Sequence, residues 1–204
     1  MFFRDFWNWL KSVLGFTISP RTPIPSGPPT GEWSDQDLRI LDLLHFIASF
    51  EAPRGYDQIY SGAEAMLGRF PLTSMTIADV YALQHRMKPS GSTAVGRYQF
   101  IESTLHSVVD ELKVPVATLF DAKIQDRFAW RLLERRGLKR YLAGTMSTRT
   151  FANALAMEWA ALPVQNDMQG YKKFIKRGES YYSGVAGNKA LCSPEAIMQK
   201  VEAI

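Results

Sequence analysis

The chain has 204 residues, 46% hydrophobic and 22% charged, enough for one substantial core with a short appendage. A net charge of +4 favours anionic partners such as wall polymers or membrane surfaces; its two basic clusters, Arg131 to Arg140 and Lys172 to Arg177, lie in no nucleic-acid motif, so no nucleic-acid partner is expected. Cys192 is alone, which excludes an intramolecular disulfide, and His45, His85 and His106 have no Cys or acidic partner at ligand spacing, so neither a metal nor another cofactor is expected.

Residues 1–16 place Phe3, Phe6, Trp7, Leu10, Val13 and Leu14 on one helical face, opposite Arg4, Asp5, Asn8, Lys11 and Ser12. Such a helix is too short to span a bilayer, and it has neither an uninterrupted apolar core nor a small-residue cleavage site. No cleavable signal is expected, and the export route is left open. The aromatic face suits a membrane-interface anchor or a partner protein, and equally a helix docked on its own domain. Residues 17–33, with Pro20, Pro23, Pro25, Pro28 and Pro29, read as an extended linker, so the folded domain is expected over 34–204.

That domain reads as mainly α. Ile40, Leu43, Leu44 and Ile47 follow the i, i+3, i+4, i+7 rule, and Glu51 lies one turn further along the same stripe. Ser34 with Asp37 forms an imperfect capping box for the start of this helix, and Pro53 and Gly55 end it. Partial burial and the negative end of the helix dipole both disfavour the carboxylate form of Glu51, raising its pKa as a general acid requires. The Gly- and Tyr-rich interval 54–72 reads as a small irregular hairpin.

Thr76 and Asp79 start a helix running to Met87. A Gly-Ser turn follows, leading into SGSTAVGRYQF at 90–100, where Arg97, Tyr98 and Gln99 offer an aromatic face and polar tips of the kind that bind sugar rings. Helices are expected at 101–112, 122–136, 148–160 and 194–203. Gln125 and Trp159 fall on helices, where a core role competes with a binding one. The Gly-rich stretch 181–190 reads as a turn between helices, with Tyr181 or Tyr182 able to touch a ligand.

FIASFE ending at Glu51, GYDQIYSG at 55–62, STAVGRYQF at 92–100, IQDRFAWRLLERRG at 124–137 and EWAALP at 158–163 occur in an order that resembles the lysozyme-like superfamily. The closest resemblance is to the phage lambda-type endolysins, which are lytic transglycosylases, although FPLTSMTIADVYALQ at 70–84 is more like their bacterial chromosomal relatives. The resemblance covers roughly residues 36 to 185. It implies an α+β lysozyme-like fold acting on peptidoglycan glycan strands at the cell wall, with Glu51 as catalytic acid and base. It further implies a cleft lined by Tyr56, Asp57, Ser92, Tyr98 and Gln99, with Gln125 and Trp159 at matching polar and aromatic positions; Tyr60 and Arg97, in the same two segments, are expected to bind substrate with them.

Hydrolysis of a glycosidic bond ordinarily uses a second carboxylate, whereas internal attack by a sugar hydroxyl needs only one group acting as acid and then base. The phage lysozyme pattern would put a carboxylate or thiol nine residues after the catalytic Glu, and Tyr60 stands there. A single-carboxylate mechanism giving a 1,6-anhydromuramic product is therefore expected. A muramidase using Glu51 and Asp57 is the alternative, with Asp57 reading equally as an Asx turn after Gly55. A non-catalytic wall-binding or secretion-associated scaffold is the reading of a different class.

Overall fold

The structure, a computed structural model, describes residues 34–185 and 187–204. The amphipathic segment 1–16 and the linker 17–33 lie outside the described residues. Eight α-helices are described: α1 (Asp35–Glu51), α2 (Ser61–Leu67), α3 (Ile77–Met87), α4 (Glu102–Leu112), α5 (Ala122–Arg136), α6 (Leu138–Leu142), α7 (Thr148–Ala156) and α8 (Pro194–Glu202). One two-stranded antiparallel sheet joins β1 (Met168–Gln169) to β2 (Phe174–Ile175), with Met168 opposite Ile175. The fold is mainly α.

Local sequence sets most of these boundaries. Ser34 and Asp37 cap each other's backbone N–H groups at the start of α1, so Asp completes the capping box despite its short side chain. Thr76 and Asp79 do the same for α3, while Asp121, Ser147 and Ser193 accept from the first turns of α5, α7 and α8. Helix α5 ends at Gly137, whose φ of +108° suits a residue without a Cβ.

The core follows the apolar stripes. Ile40, Leu43, Leu44 and Ile47 of α1 are buried, as are Leu105, Val108 and Leu112 of α4 and Phe128, Leu132 and Leu133 of α5. Phe100, Phe120 and Phe128 meet as ring pairs 6.0–6.4 Å apart between centroids, joining the segment after the Gly-Ser turn to α5. Helix α5 packs on α1, α4 and α7, and α8 closes the far side against α1 and α7.

Two expectations are corrected. Residues 54–72 hold α2 rather than a hairpin: Glu64 on that helix pairs with Arg54 and Arg69, fastening it to both flanking loops, and the small sheet lies at 168–175. Helix α7 stops at Ala156 instead of continuing to 160. The N–H groups of Glu158 and Trp159 both turn to Leu155 O, and the chain then leaves the helix. The N–H of Ala161 is thereby free of any helical ladder, and Glu51 takes it.

Candidate active site

Glu51 closes the last turn of α1 and is half-buried on the wall of a cleft of about 520 Å³. Its Oε1 accepts the Ala161 N–H at 2.9 Å, a contact between residues 110 positions apart. Burial pushes the carboxyl above the ordinary carboxylate range, and the Ala161 bond pulls it partly back. No cation among the described residues pairs with it. The result is a carboxyl held in one orientation by a backbone donor and biased toward its protonated form.

Another part of the cleft's lining comes from the Gly-Ser turn and the segment that follows it. Ser92, Ala94, Tyr98, Gln99 and Phe100 line the cleft, with Tyr60 beside them. An isolated bridge pairs Val95 with Ile59, and a second pairs Val95 with Phe100, so this wall is backbone-bonded to the chain on either side. Gln99 has a φ of +49°, and only Lys113 shares this left-handed region among the described non-glycine residues. Such a conformation costs about 1–2 kcal/mol and persists where the surroundings enforce it. The Gln99 amide donates to Gly96 O at 2.8 Å, which ties the strained residue to the turn and leaves its carbonyl oxygen for a ligand.

Of the sequence-predicted residues, Glu51, Tyr60, Ser92, Tyr98, Gln99 and Trp159 are brought together in the cleft, whereas Tyr56, Asp57, Arg97 and Gln125 are not among its lining residues. Those four stand behind the wall or apart from it. Asp126 accepts the hydroxyls of both Tyr56, at 3.0 Å, and Tyr98, at 2.7 Å. Tyr98 therefore offers the cleft its ring, its hydroxyl being spent on Asp126. Desolvation and the Asp126 charge push the Tyr56 phenol up to about 12 and the Tyr98 phenol higher still, so both remain donors. The Arg97 guanidinium lies over the Tyr56 ring, 5.0 Å from its centroid.

Gln125 is fully buried. Its Oε1 accepts the Arg97 N–H at 2.9 Å, while its Nε2 donates to Phe120 O at 2.9 Å and Tyr56 O at 3.2 Å. Asp57 accepts the Thr73 N–H at 2.7 Å and so braces the loop after α2. Trp159, 2% exposed, lines the cleft from the irregular segment after α7, and its indole N–H has no partner among the described residues. Tyr182, from the Gly-rich stretch, also lines the cleft, with its hydroxyl on Met157 O at 2.8 Å.

Glu158 and Arg136 line the cleft without any sequence signal of their own. Glu158 stands beside Trp159, and Arg136 binds it through Nε at 2.7 Å while donating to Met157 O at 3.0 Å. The motif EWAALP contains Glu158, yet nothing local pairs it with an arginine 22 residues earlier on α5.

The lining therefore holds two carboxyl groups in opposite environments, those of Glu51 and Glu158. Glu158 is neutralised by a guanidinium, and Glu51 sits in a desolvated pocket without one. A carboxyl desolvated and left without a cation among the described residues, as Glu51 is, is in the environment that favours the protonated form an acid catalyst needs. No group of three or more His, Cys, Asp or Glu side chains that could hold a metal occurs among the described residues, and none of their helices is long and apolar enough to cross a membrane. A family model described as Endolysin matches residues 45–188. No curated protein and no solved structure matches the chain.

Proposed function

The chain belongs to the endolysin family, which degrades peptidoglycan, and we propose that it does so as a lytic transglycosylase with Glu51 as acid and then base. The observation that carries this reading is that Glu51 is the one cleft-lining carboxyl without a cationic partner among the described residues, and burial favours its protonated form. In the first step Glu51 gives its proton to the oxygen between N-acetylmuramic acid and N-acetylglucosamine, and the bond from that oxygen to the anomeric carbon breaks. In the second, the carboxylate takes the proton of the muramic 6-hydroxyl as its oxygen bonds to the anomeric carbon. No water is consumed, and the product is a 1,6-anhydro sugar.

Tyr60, Ser92, Tyr98, Gln99 and Trp159 would seat the glycan. Tyr56, Arg97 and Gln125 would act from behind by fixing that wall, and Asp57 by bracing the loop after α2. The test is mass spectrometry of muropeptides released from purified sacculi, which reads 1,6-anhydro against reducing ends. Hydrolysis is the second reading, and the presence of Glu158 in the cleft is the observation that favours it. That carboxylate would have to leave Arg136 to activate water. A non-catalytic scaffold would have no use for a desolvated, unpaired acid, whose retention costs stability. Residues 1–16 would serve as an anchor on anionic membrane surfaces or a partner protein, holding the domain near the wall.

A further inference from the structure

A second pocket, of about 360 Å³, opens beside the cleft and shares three lining residues with it, Thr104, Arg136 and Glu158. The remaining lining residues are Ser103, Ser107 and Arg135. Every one of the six side chains is polar. Two guanidiniums and one carboxylate line it, and a second carboxylate, that of Glu111, pairs with Arg135 without lining the pocket. The hydroxyls stand on α4 and the arginines on the last turn of α5, so the pocket is built on two packed helices rather than on a loop.

The donors are oriented but not used up. Arg135 spends Nε on Glu111 at 2.7 Å and Nη2 on both Glu111, at 2.6 Å, and Ser107, at 2.9 Å, which leaves its Nη1, and Arg136 spends Nε on Glu158 and one Nη2 hydrogen on Met157 O. Each guanidinium has five N–H donors, so both keep unspent ones, held in fixed planes by the bonds already made. A fixed guanidinium edge flanked by hydroxyls is suited to a carboxylate.

Resting on the glycan-cleaving reading above, we infer that this side pocket binds the carboxylates of the peptide stem carried by the muramic residue in the cleft. The substrate strand bears a short peptide on the lactyl group of each muramic sugar, ending in free carboxylates. A branch that runs from the cleft into this pocket passes the residues common to both cavities, Thr104, Arg136 and Glu158. Glu158 lies three residues before Ala161, which holds Glu51, so the branch point is on the segment that orients the acid. The pocket would make the enzyme prefer peptide-bearing strands over bare glycan.

The test uses the full chain and two variants at residues confined to the side pocket, Arg135→Gln and Ser103→Phe. The first removes the charge but leaves Glu111 its second partner, Arg131; the second fills the pocket from an exposed position. Steady-state kinetics are measured on purified peptide-bearing glycan strands and on the same strands stripped of peptide by an amidase, both freed of phosphate-containing wall polymers. On peptide-bearing strands kcat/KM should fall about tenfold in each variant, mainly through KM, as expected for loss of one or two bonds to a charged group. On stripped strands the variants should equal the parent protein.

An equal loss on both substrates in variants that melt within a few degrees of the parent would overturn the inference, as would no loss on either. A parent protein inert on both substrates would instead defeat the glycan-cleaving reading and this inference with it. A parent active on stripped strands with no preference for peptide-bearing ones would defeat the inference alone.

Discussion

Replacing Gln125 with Leu should cost the domain a large share of a typical stability margin while adding no bulk. The side chain is fully buried and makes three hydrogen bonds, all to backbone groups: the N–H of Arg97 and the carbonyls of Phe120 and Tyr56. Leu fills a similar volume and strands all three. An unpaired buried polar group costs about 1–3 kcal/mol, with the 3.2 Å bond at the low end, and burying an aliphatic chain returns about 1–2 kcal/mol. The expected net loss is about 3–5 kcal/mol, against domain stabilities of roughly 5–15 kcal/mol. Urea unfolding followed by circular dichroism measures it directly. With an m-value of roughly 2 kcal/mol/M, the midpoint should fall by roughly 1.5–2.5 M at unchanged m. A loss below about 1 kcal/mol would mean that these groups find other partners and that Gln125 is not the pin behind the cleft wall.

Gly96→Ala should act on the same pin from the other side, because φ is +77° and a Cβ would stand 2.4 Å from Gln125 Oε1 and 3.1 Å from Phe120; a loss of about 2–4 kcal/mol in thermal unfolding is expected. Glu51→Gln should be more stable than the parent at neutral pH. A carboxyl raised in the fold contributes stability below the ordinary carboxylate range and loses it as pH rises through the raised value, so the gain should vanish near pH 4; equal melting temperatures at both pH values would contradict the burial argument. The alkaline limb of the kcat/KM profile on sacculi should belong to Glu51 and lie above the ordinary value of 4.5, and a limb at or below 4.5 would remove Glu51 as the acid. Deleting residues 1–16 should weaken co-sedimentation with anionic vesicles at unchanged melting temperature, whereas a large drop in that temperature would mean that the segment packs on the domain.

The parts of this protein that are legible in its sequence are those governed by neighbours in the chain. The 3.6-residue stripe Ile40, Leu43, Leu44, Ile47 puts Glu51 at the end of α1 and on its inward side, and α5 runs over 122–136 as its periodicity and Gly137 require. The cleft itself is a product of distant contacts. Ala161 meets Glu51 across 110 residues and Arg136 meets Glu158 across 22, and no local pattern announces either pairing.

Gln125 carries a signal that points to its observed role. With Phe128, Ala129 and Leu132 it occupies i, i+3, i+4 and i+7 on the buried face of α5, which places an amide in the core rather than in a cleft. Tyr56 and Tyr98 look alike in the sequence as sugar-binding aromatics and both give their hydroxyls to Asp126, a contact across 70 and 28 residues that no local pattern announces, yet only Tyr98 lines the cleft. The early end of α7 is hidden for a related reason: its sequence suits a longer helix, and the contact that accompanies its end at Ala156, from the Ala161 N–H to Glu51, comes from a distant part of the chain.

Muropeptide mass spectrometry on sacculi digested by the parent protein and by Glu51→Gln tests the central claim most directly. The account expects the parent to release products ending in 1,6-anhydro-N-acetylmuramic acid, one water lighter than hydrolytic products, and the folded Glu51→Gln protein to release none. Reducing-end products from the parent, or anhydro products at an undiminished rate from Glu51→Gln, would contradict it.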